Sequence, residues 1–286
     1  MGALWRGWRD VLARIGFETA ALDAKILTAH ALSVDFLALS IRENELVDTL
    51  LTSRVAALIQ RRMSGESVAR IVGEKEFYGL AFGLNGATLE PRPDTELLVD
   101  LAIKDLPGGG RFLDLGTGTG CIPIAILANR PDATALASDL NPDALAMAQR
   151  NGERHGVLWR LDFAQGDWFA ALGTREERFD LIVSNPPYIA SAVIETLSPE
   201  VRSFDPWLAL DGGADGIAPY RIIAAESGRF LKPGGQVLVE IGFDQGEAVA
   251  ALFAAHGFDQ IRVHRDLNGL DRVIQAHQIG AANTVS

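Results

Sequence analysis

Cysteine is nearly missing from this chain: Cys121 stands alone among 286 residues. No intramolecular disulfide can form, and the composition suits a reducing compartment. Long apolar runs are missing too, since no uninterrupted stretch approaches the roughly 18 residues that a membrane-crossing helix needs. The first twenty residues intersperse Arg6, Arg9, Asp10 and Arg14 with Trp5 and Trp8, so they lack the apolar core of a secretory signal. Arg6 also occupies the position where a myristoylation pattern needs Ser or Thr. No membrane association is expected, and the cytoplasm is the expected location. Positive charge is scarce: 26 Lys and Arg face 37 Asp and Glu, a formal charge of -11. That balance argues against a broad electrostatic grip on nucleic acid, although a local basic groove stays compatible with it. His30, His155, His256, His264 and His277 show no ligand spacing, so no metal site is expected.

What is present is ample apolar sequence, 48% of the chain with a mean hydropathy of +0.13, which excludes wholesale disorder. Up to about residue 72 the pattern is helical. Leu22, Ile26, Leu27, Leu32, Leu37, Leu46, Leu50, Leu51, Val55, Leu58 and Ile59 recur at helical spacings. Residues 73–90 change character, with Gly73, Gly79, Gly83 and Gly86 punctuating short aromatic and apolar pairs in the manner of a hairpin-like connector. Pro91-Arg92-Pro93-Asp94-Thr95-Glu96 follows, and Asp94 or Thr95 could cap a helix over 97–106. From Gly110 strands and helices alternate. The strands are read at 111–115, 134–138, 161–165, 179–184, 236–241, 259–265 and 271–276, the helices near 119–129, 142–155, 214–230 and 244–256. Such alternation predicts an α/β fold with a mostly parallel sheet covered on both faces. The last two strands are too close for a crossover, so they form an antiparallel hairpin at one edge.

Two strand ends carry the chemistry. After Phe112-Leu113-Asp114-Leu115 comes Gly116-Thr117-Gly118-Thr119-Gly120, then a helix from Cys121. Strand, glycine turn and helix start make a cradle in which a ligand can approach the backbone. A dinucleotide fingerprint would need glycine where Cys121 stands, and no Gly-Lys-Ser/Thr follows for a phosphate loop. Asp139 closes the second strand, where a carboxylate can accept both ribose hydroxyls of an adenosine; capping the next helix is the alternative. Asp167-Trp168 after the third strand offers a polar group and a flat ring for adenine, with core packing the alternative for Trp168. After the apolar strand 179–184, Asn185-Pro186-Pro187-Tyr188 projects an amide, a rigid backbone and an aromatic ring from a position where open α/β sheets bind ligands. In this order the features point to S-adenosyl-L-methionine, with S-adenosyl-L-homocysteine as product.

Leu113 to Gly120 and Val183 to Tyr188 resemble the class I S-adenosylmethionine-dependent methyltransferases that modify amide or exocyclic amino nitrogens. Pro91 to Glu96, Gly166-Asp167-Trp168-Phe169 and Phe204-Asp205-Pro206-Trp207-Leu208-Ala209-Leu210 narrow the resemblance to the protein-(glutamine-N5) methyltransferases of class 1 peptide chain release factors. It runs nearly end to end. It implies a Rossmann-like sheet of seven strands with one antiparallel edge hairpin, and a small N-terminal helical domain. The implied domains are 1–72 for substrate binding, 73–90 as connector and 91–286 for methyl transfer. It further implies that Gly116, Thr117, Gly118, Thr119, Gly120, Asp139, Trp168 and Asn185 contact the cofactor, and that Asn185, Pro186, Pro187 and Tyr188 hold the glutamine of a Gly-Gly-Gln loop. Glu90 and Ser67 depart from the family pattern, which usually has an apolar residue and a proline there.

The chemistry explains the tetrapeptide. An amide nitrogen is a poor nucleophile because its lone pair is delocalised into the carbonyl. Asn185 Oδ1 and the Pro186 carbonyl can each accept one N–H of the target amide, Tyr188 can stack on it, and Pro187 stiffens the loop, so catalysis is expected from Asn185, Pro186 and Tyr188 mainly through orientation. No base stands out, and the proton can leave to water. Arg92 could meet the cofactor carboxylate or form a surface ion pair. Two rivals stand against this reading. An adenine-N6 DNA methyltransferase would have to flip a base and grip phosphates, which suits this acidic chain poorly, and direct nucleic-acid binding is not expected. A non-enzymatic partner-binding protein with a vestigial domain fits poorly with the intact glycine loop. A monomer is expected.

Overall fold

The computed structural model describes residues 1–279. Five helices come first: α1 (Gly2–Arg14), α2 (Ala20–Leu32), α3 (Phe36–Ile41), α4 (Thr49–Met63) and α5 (Val68–Val72). Short acceptors fix three of their starts. Asp35 accepts from the Ala38 N–H, Asp48 from Leu51 and Ser67 from Arg70, each replacing a partner that a first helical turn lacks. Ser67, one of the two departures, thus supplies a cap of its own. Gly73 ends α5 at φ +82, a conformation that suits glycine.

These helices and the segment Ser198–Phe204 form one compact unit, centred on Leu12, Ala20, Ala24, Leu27, Ala31, Val55, Ile59 and Ile71. Small alanines let the backbones approach closely, so the inner face is narrower than the leucine spacing suggests. Leu22, Leu37, Leu46 and Leu50 lie exposed instead, and Leu46 falls outside any helix. Arg62 is buried in this unit, its guanidinium 4.3 Å from the Phe17 ring centre and 2.7 Å from Asp23.

In the second unit, β1 (Glu74–Phe77) and β2 (Leu80–Gly83) make a two-stranded sheet. Tyr78 and Gly79 turn between them, both at positive φ, the geometry of a tight two-residue hairpin. Then follow α6 (Glu96–Asp105), β3 (Arg111–Leu115), α7 (Cys121–Asn129), β4 (Thr134–Asp139), α8 (Pro142–Arg154), β5 (Leu161–Gln165) and β6 (Phe179–Ser184). The short helices α9 (Ser191–Ile194) and α10 (Pro199–Phe204), the latter part of the first unit, lie where no element is legible in the sequence. The chain ends with α11 (Ala218–Phe230), β7 (Leu231–Glu240), α12 (Gly246–Ala255), β8 (Phe258–Arg265) and β9 (Asp271–Gln278).

The seven strands run in the order β5-β4-β3-β6-β7-β9-β8. All neighbours are parallel except at β9, which pairs antiparallel with both β7 and β8. The seven-stranded, mostly parallel α/β sheet is therefore as expected, with the antiparallel strand tucked one place inside the edge. β7 starts earlier than the apolar run 236–241 implies, because its pairing with β6 shifts register between Phe179 and Leu181 and absorbs Pro233-Gly234-Gly235. Successive strand residues alternate between two cores, Phe112 and Val183 in one, Leu113 and Ile182 in the other, as the two-residue strand period requires. Cys121 opens α7 as a buried residue, and burial pushes its thiol up to about 12.

Candidate active site

Strand register assembles the site. Leu115 pairs with Ser138 on one side and Ser184 on the other. The carboxyl ends of β4, β3 and β6 are therefore level, which brings Asp139, the Gly116–Gly120 loop and Asn185 side by side. The order reverses at β3, the switch point where open α/β sheets bind ligands. The Gly116 and Thr117 N–H groups both donate to the Ser138 carbonyl, at 2.9 and 2.8 Å, and fasten the loop to β4.

A cavity of about 560 Å3 opens there, a size typical of small-molecule sites. Its wall includes Gly116, Gly118, Asp139, Trp168, Asn185 and Pro187, all singled out by the sequence. Gly116 and Gly118 sit at φ +73 and +56, and a Cβ on either would meet nothing within 4 Å. Their glycine character serves the turn and keeps open space beside the backbone. Gly120 differs: its Cβ would come within 3.0 Å of Ile124 and 3.1 Å of Ala148, so it permits helix packing. It does not line the cavity, nor do Thr117, Thr119, Pro186 or Tyr188. Both threonines are buried, while Tyr188 packs against the second core. Burial pushes the Tyr188 hydroxyl up to about 12.

Asp139 does not cap α8; Asn141 does, accepting from the Asp143 N–H at 2.9 Å. Asp139 instead takes the Gly118 N–H on Oδ2 at 2.8 Å and the Asn141 N–H on Oδ1 at 2.9 Å. Burial raises its pKa, opposed by those backbone donors. Each oxygen keeps acceptor capacity, so a diol edge can still be held. Trp168 faces two ways. It lines the cavity and packs on the second core, at φ +45, a conformation rare for a bulky residue and found at ligand sites.

Sequence reading missed much of the remaining wall. Pro206, Trp207, Leu208 and Ala209 belong to it, although their motif had served only to mark a resemblance. Asp211 holds this segment, accepting from Ser191 Oγ at 2.6 Å, the Gly213 N–H at 2.9 Å and Trp207 Nε1 at 3.2 Å. Its pKa is lowered, chiefly by the Ser191 hydroxyl. Arg92, with two possible roles in the sequence, pairs with Asp205 at 2.9 Å. Thr95 makes no helix cap; its Oγ1 accepts from Asn185 Nδ2 at 3.1 Å. Behind them lies Glu240, 1% exposed, facing both Thr95 and Asn185. A lone carboxylate inside an apolar strand was the available signal.

Beneath the glycine loop, Asp114 is fully buried and neither of its oxygens has a hydrogen bond among the described residues. Burial outweighs the pull of the nearby Thr117 hydroxyl and pushes it up to about 7. Open glycines, an acceptor pair on Asp139, an aromatic wall and an uncompensated carboxylate together fit a ligand with a cationic end, a ribose and a flat base. S-adenosyl-L-methionine has all three. Among the described residues no cluster of His, Cys, Asp and Glu could hold a metal ion.

Comparison with known proteins agrees. The family described as PrmC N-terminal domain matches residues 3–73, and the family described as Methyltransferase small domain matches residues 92–198. The chain is 45% identical to a release factor glutamine methyltransferase of Agrobacterium fabrum, over 93% of each chain. It is 44% identical to one of Cereibacter sphaeroides, over 93% of this chain and 94% of the relative. A solved methyltransferase from Pyrococcus furiosus superposes with a TM-score of 0.54 at 17% identity, covering 77% of this chain and 97% of that one, a likeness of fold alone.

Proposed function

The chain belongs to the release factor glutamine methyltransferase family, and from that membership we propose that it methylates N5 of the glutamine in the Gly-Gly-Gln loop of class 1 release factors. The cofactor is S-adenosyl-L-methionine, which supplies an electrophilic methyl group carried on a sulfonium.

The observation that carries the chemistry is the Asn185 side chain. Its nitrogen is committed to Thr95, and no hydrogen bond from the described residues occupies Oδ1. In our reading that oxygen and the Pro186 carbonyl accept the two N–H bonds of the glutamine amide. The amide plane is then fixed and the nitrogen lone pair is left free on its face. Acceptors placed against both N–H bonds also favour the positive charge that grows on nitrogen as the methyl arrives. Pro187 keeps the loop rigid, and Tyr188 supplies an aromatic surface for the amide. The methylated nitrogen becomes strongly acidic and gives its proton to water. For the cofactor, the loop from Gly116 to Gly120 with Thr117 and Thr119 would surround the amino-acid end, Asp139 the ribose and Trp168 the base.

The helical unit is assigned to the body of the release factor. Leu37, Ile41, Leu46 and Leu50, all large, apolar and exposed within a short stretch, support that assignment, because such groups mark partner surfaces. Among the described residues no helix is long and apolar enough to cross a membrane. We place the protein in the cytoplasm as a monomer. The test is mass spectrometry of a release factor incubated with enzyme and cofactor. One methyl-for-hydrogen gain is expected, lost when the Gly-Gly-Gln glutamine is replaced; persistence of the gain in that variant would overturn the assignment.

A further inference from the structure

The Asn185 side chain has two ends of nearly the same shape and opposite chemistry. Only the oxygen can accept an N–H from an incoming amide; the NH2 group would meet that donor head-on. Turning the side chain over changes almost nothing sterically, so packing alone cannot choose between the ends. Something polar must.

The pairing of β6 with β7 supplies it. Ser184 pairs with Val239, so the next residues, Asn185 and Glu240, come level at the strand ends. Thr95 lies near both. Asn185 Nδ2 donates to Thr95 Oγ1 at 3.1 Å; the Glu240 carboxyl faces both groups, which favour its charged form, and its Oε2 has no hydrogen-bond partner among the described residues. An ionised carboxylate only accepts. It therefore orients the Thr95 O–H toward itself, leaves Thr95 Oγ1 to accept, and admits only the nitrogen end of Asn185. The same carboxylate would repel Oδ1. The strand end is itself pinned, since Tyr220 donates its hydroxyl to the Glu240 carbonyl at 2.8 Å.

We propose that Glu240 is a positioning residue: through Thr95 it fixes the Asn185 side chain with nitrogen inward and oxygen toward the methyl acceptor. The inference rests on reading this cavity as an amide-methylating site. It also assigns a purpose to the Thr95 hydroxyl, which makes no cap for α6.

The charged and titratable groups around Glu240 are Asp94, Cys121, Tyr188, Tyr220 and Arg272. Arg272 is the counter-charge, itself held by Asp266 at 3.1 Å and Asp94 at 3.4 Å. Burial leads the effects on Glu240 and pushes it up to about 7. Cys121 and Tyr188 are pushed up to about 12, and Tyr220 is raised as well. Protonation of Glu240 gives the carboxyl a donor of its own and removes its preference for the nitrogen end. Turnover should then fall as pH drops through neutrality. Asp114, also pushed up to about 7, underlies the cofactor loop and should act on cofactor affinity instead.

The test uses the full chain with release factor as substrate. Glu240→Gln should lower kcat roughly tenfold, the population ratio that one hydrogen bond supports. The acid limb of kcat should flatten, while S-adenosylmethionine affinity by calorimetry stays within about twofold. Thr95→Val should show the same signature, Thr95→Ser should recover most of that loss, and the double variant should be no worse than either single. An unchanged kcat and pH profile in Glu240→Gln would overturn the proposal, as would an equal loss of cofactor affinity. A readout that needs no substrate is the Asn185 side-chain NH2 pair by NMR. In the wild type it should be protected from solvent exchange and titrate near neutral pH; in Glu240→Gln it should exchange freely. If the wild type shows that protection yet leaves release factor unmodified, the substrate assignment fails and the positioning role stands. Free exchange in the wild type would remove the role whatever the substrate.

Discussion

At the scale of single residues, the site joins one group the sequence announces to another it hides. Asn185 is legible because a buried strand ends there and two prolines stop it. Glu240 is not, because its partners come from β6, from the turn before α6 and from β9, and only long-range pairing brings these together. Asn185→Ala should abolish methyl transfer, by about a thousandfold or more if both orientation and charge stabilisation go, while calorimetry finds cofactor affinity nearly intact. Measurable turnover near the wild-type level would refute its role as the amide holder. Glu240 also has a stability signature. In the folded chain it keeps its proton up to about pH 7, while its ordinary value is 4.5. Ionisation therefore costs stability as pH rises between those values, by on the order of 3 kcal/mol. Glu240→Gln removes that cost. Its unfolding free energy relative to wild type should be highest above pH 7 and should shrink as pH falls toward 4.5, by urea denaturation. A difference independent of pH would be the contrary result.

At the scale of elements, helical spacing marked the first unit as helical but misjudged its inner faces. Alanines at 20, 24 and 31 line the core, whereas several leucines face outward. A spacing rule counts apolar residues; it does not weigh the close approach that small ones allow. Two predictions separate the faces. Asp23→Ala leaves the buried Arg62 without its closest carboxylate and should cost roughly 3 kcal/mol in urea unfolding. Leu46→Asp and Leu50→Asp touch no core and should leave unfolding almost unchanged. If this face receives the release factor, each should raise KM for that protein severalfold without altering cofactor affinity. Both parameters unmoved would detach the face from substrate binding.

For the whole molecule, alternation of strands and helices was enough to name an α/β fold, and the brief final connection gave the antiparallel pair. The strand order was beyond reach, since alternation alone does not say that β6 returns beside β3 or that β9 slips between β7 and β8. Nor could spacing show that Ser198–Phe204 joins the helical unit, because no local pattern marks it. The net charge of -11 bears on substrate choice: a polyanion meets long-range repulsion. With tritiated methyl donor, duplex DNA should remain unlabelled under conditions that label release factor to completion. Labelled adenine would bring back the DNA-modifying alternative.

Cys121 has a practical consequence. The only thiol in the chain is sealed at the start of α7 and resists deprotonation, and thiolate is the form that alkylating reagents attack. The folded wild type should be silent to maleimides. A cysteine introduced at an exposed site would then take a fluorophore or spin label alone, so distances in solution could be followed in an enzyme whose native sulfur never needed to be removed.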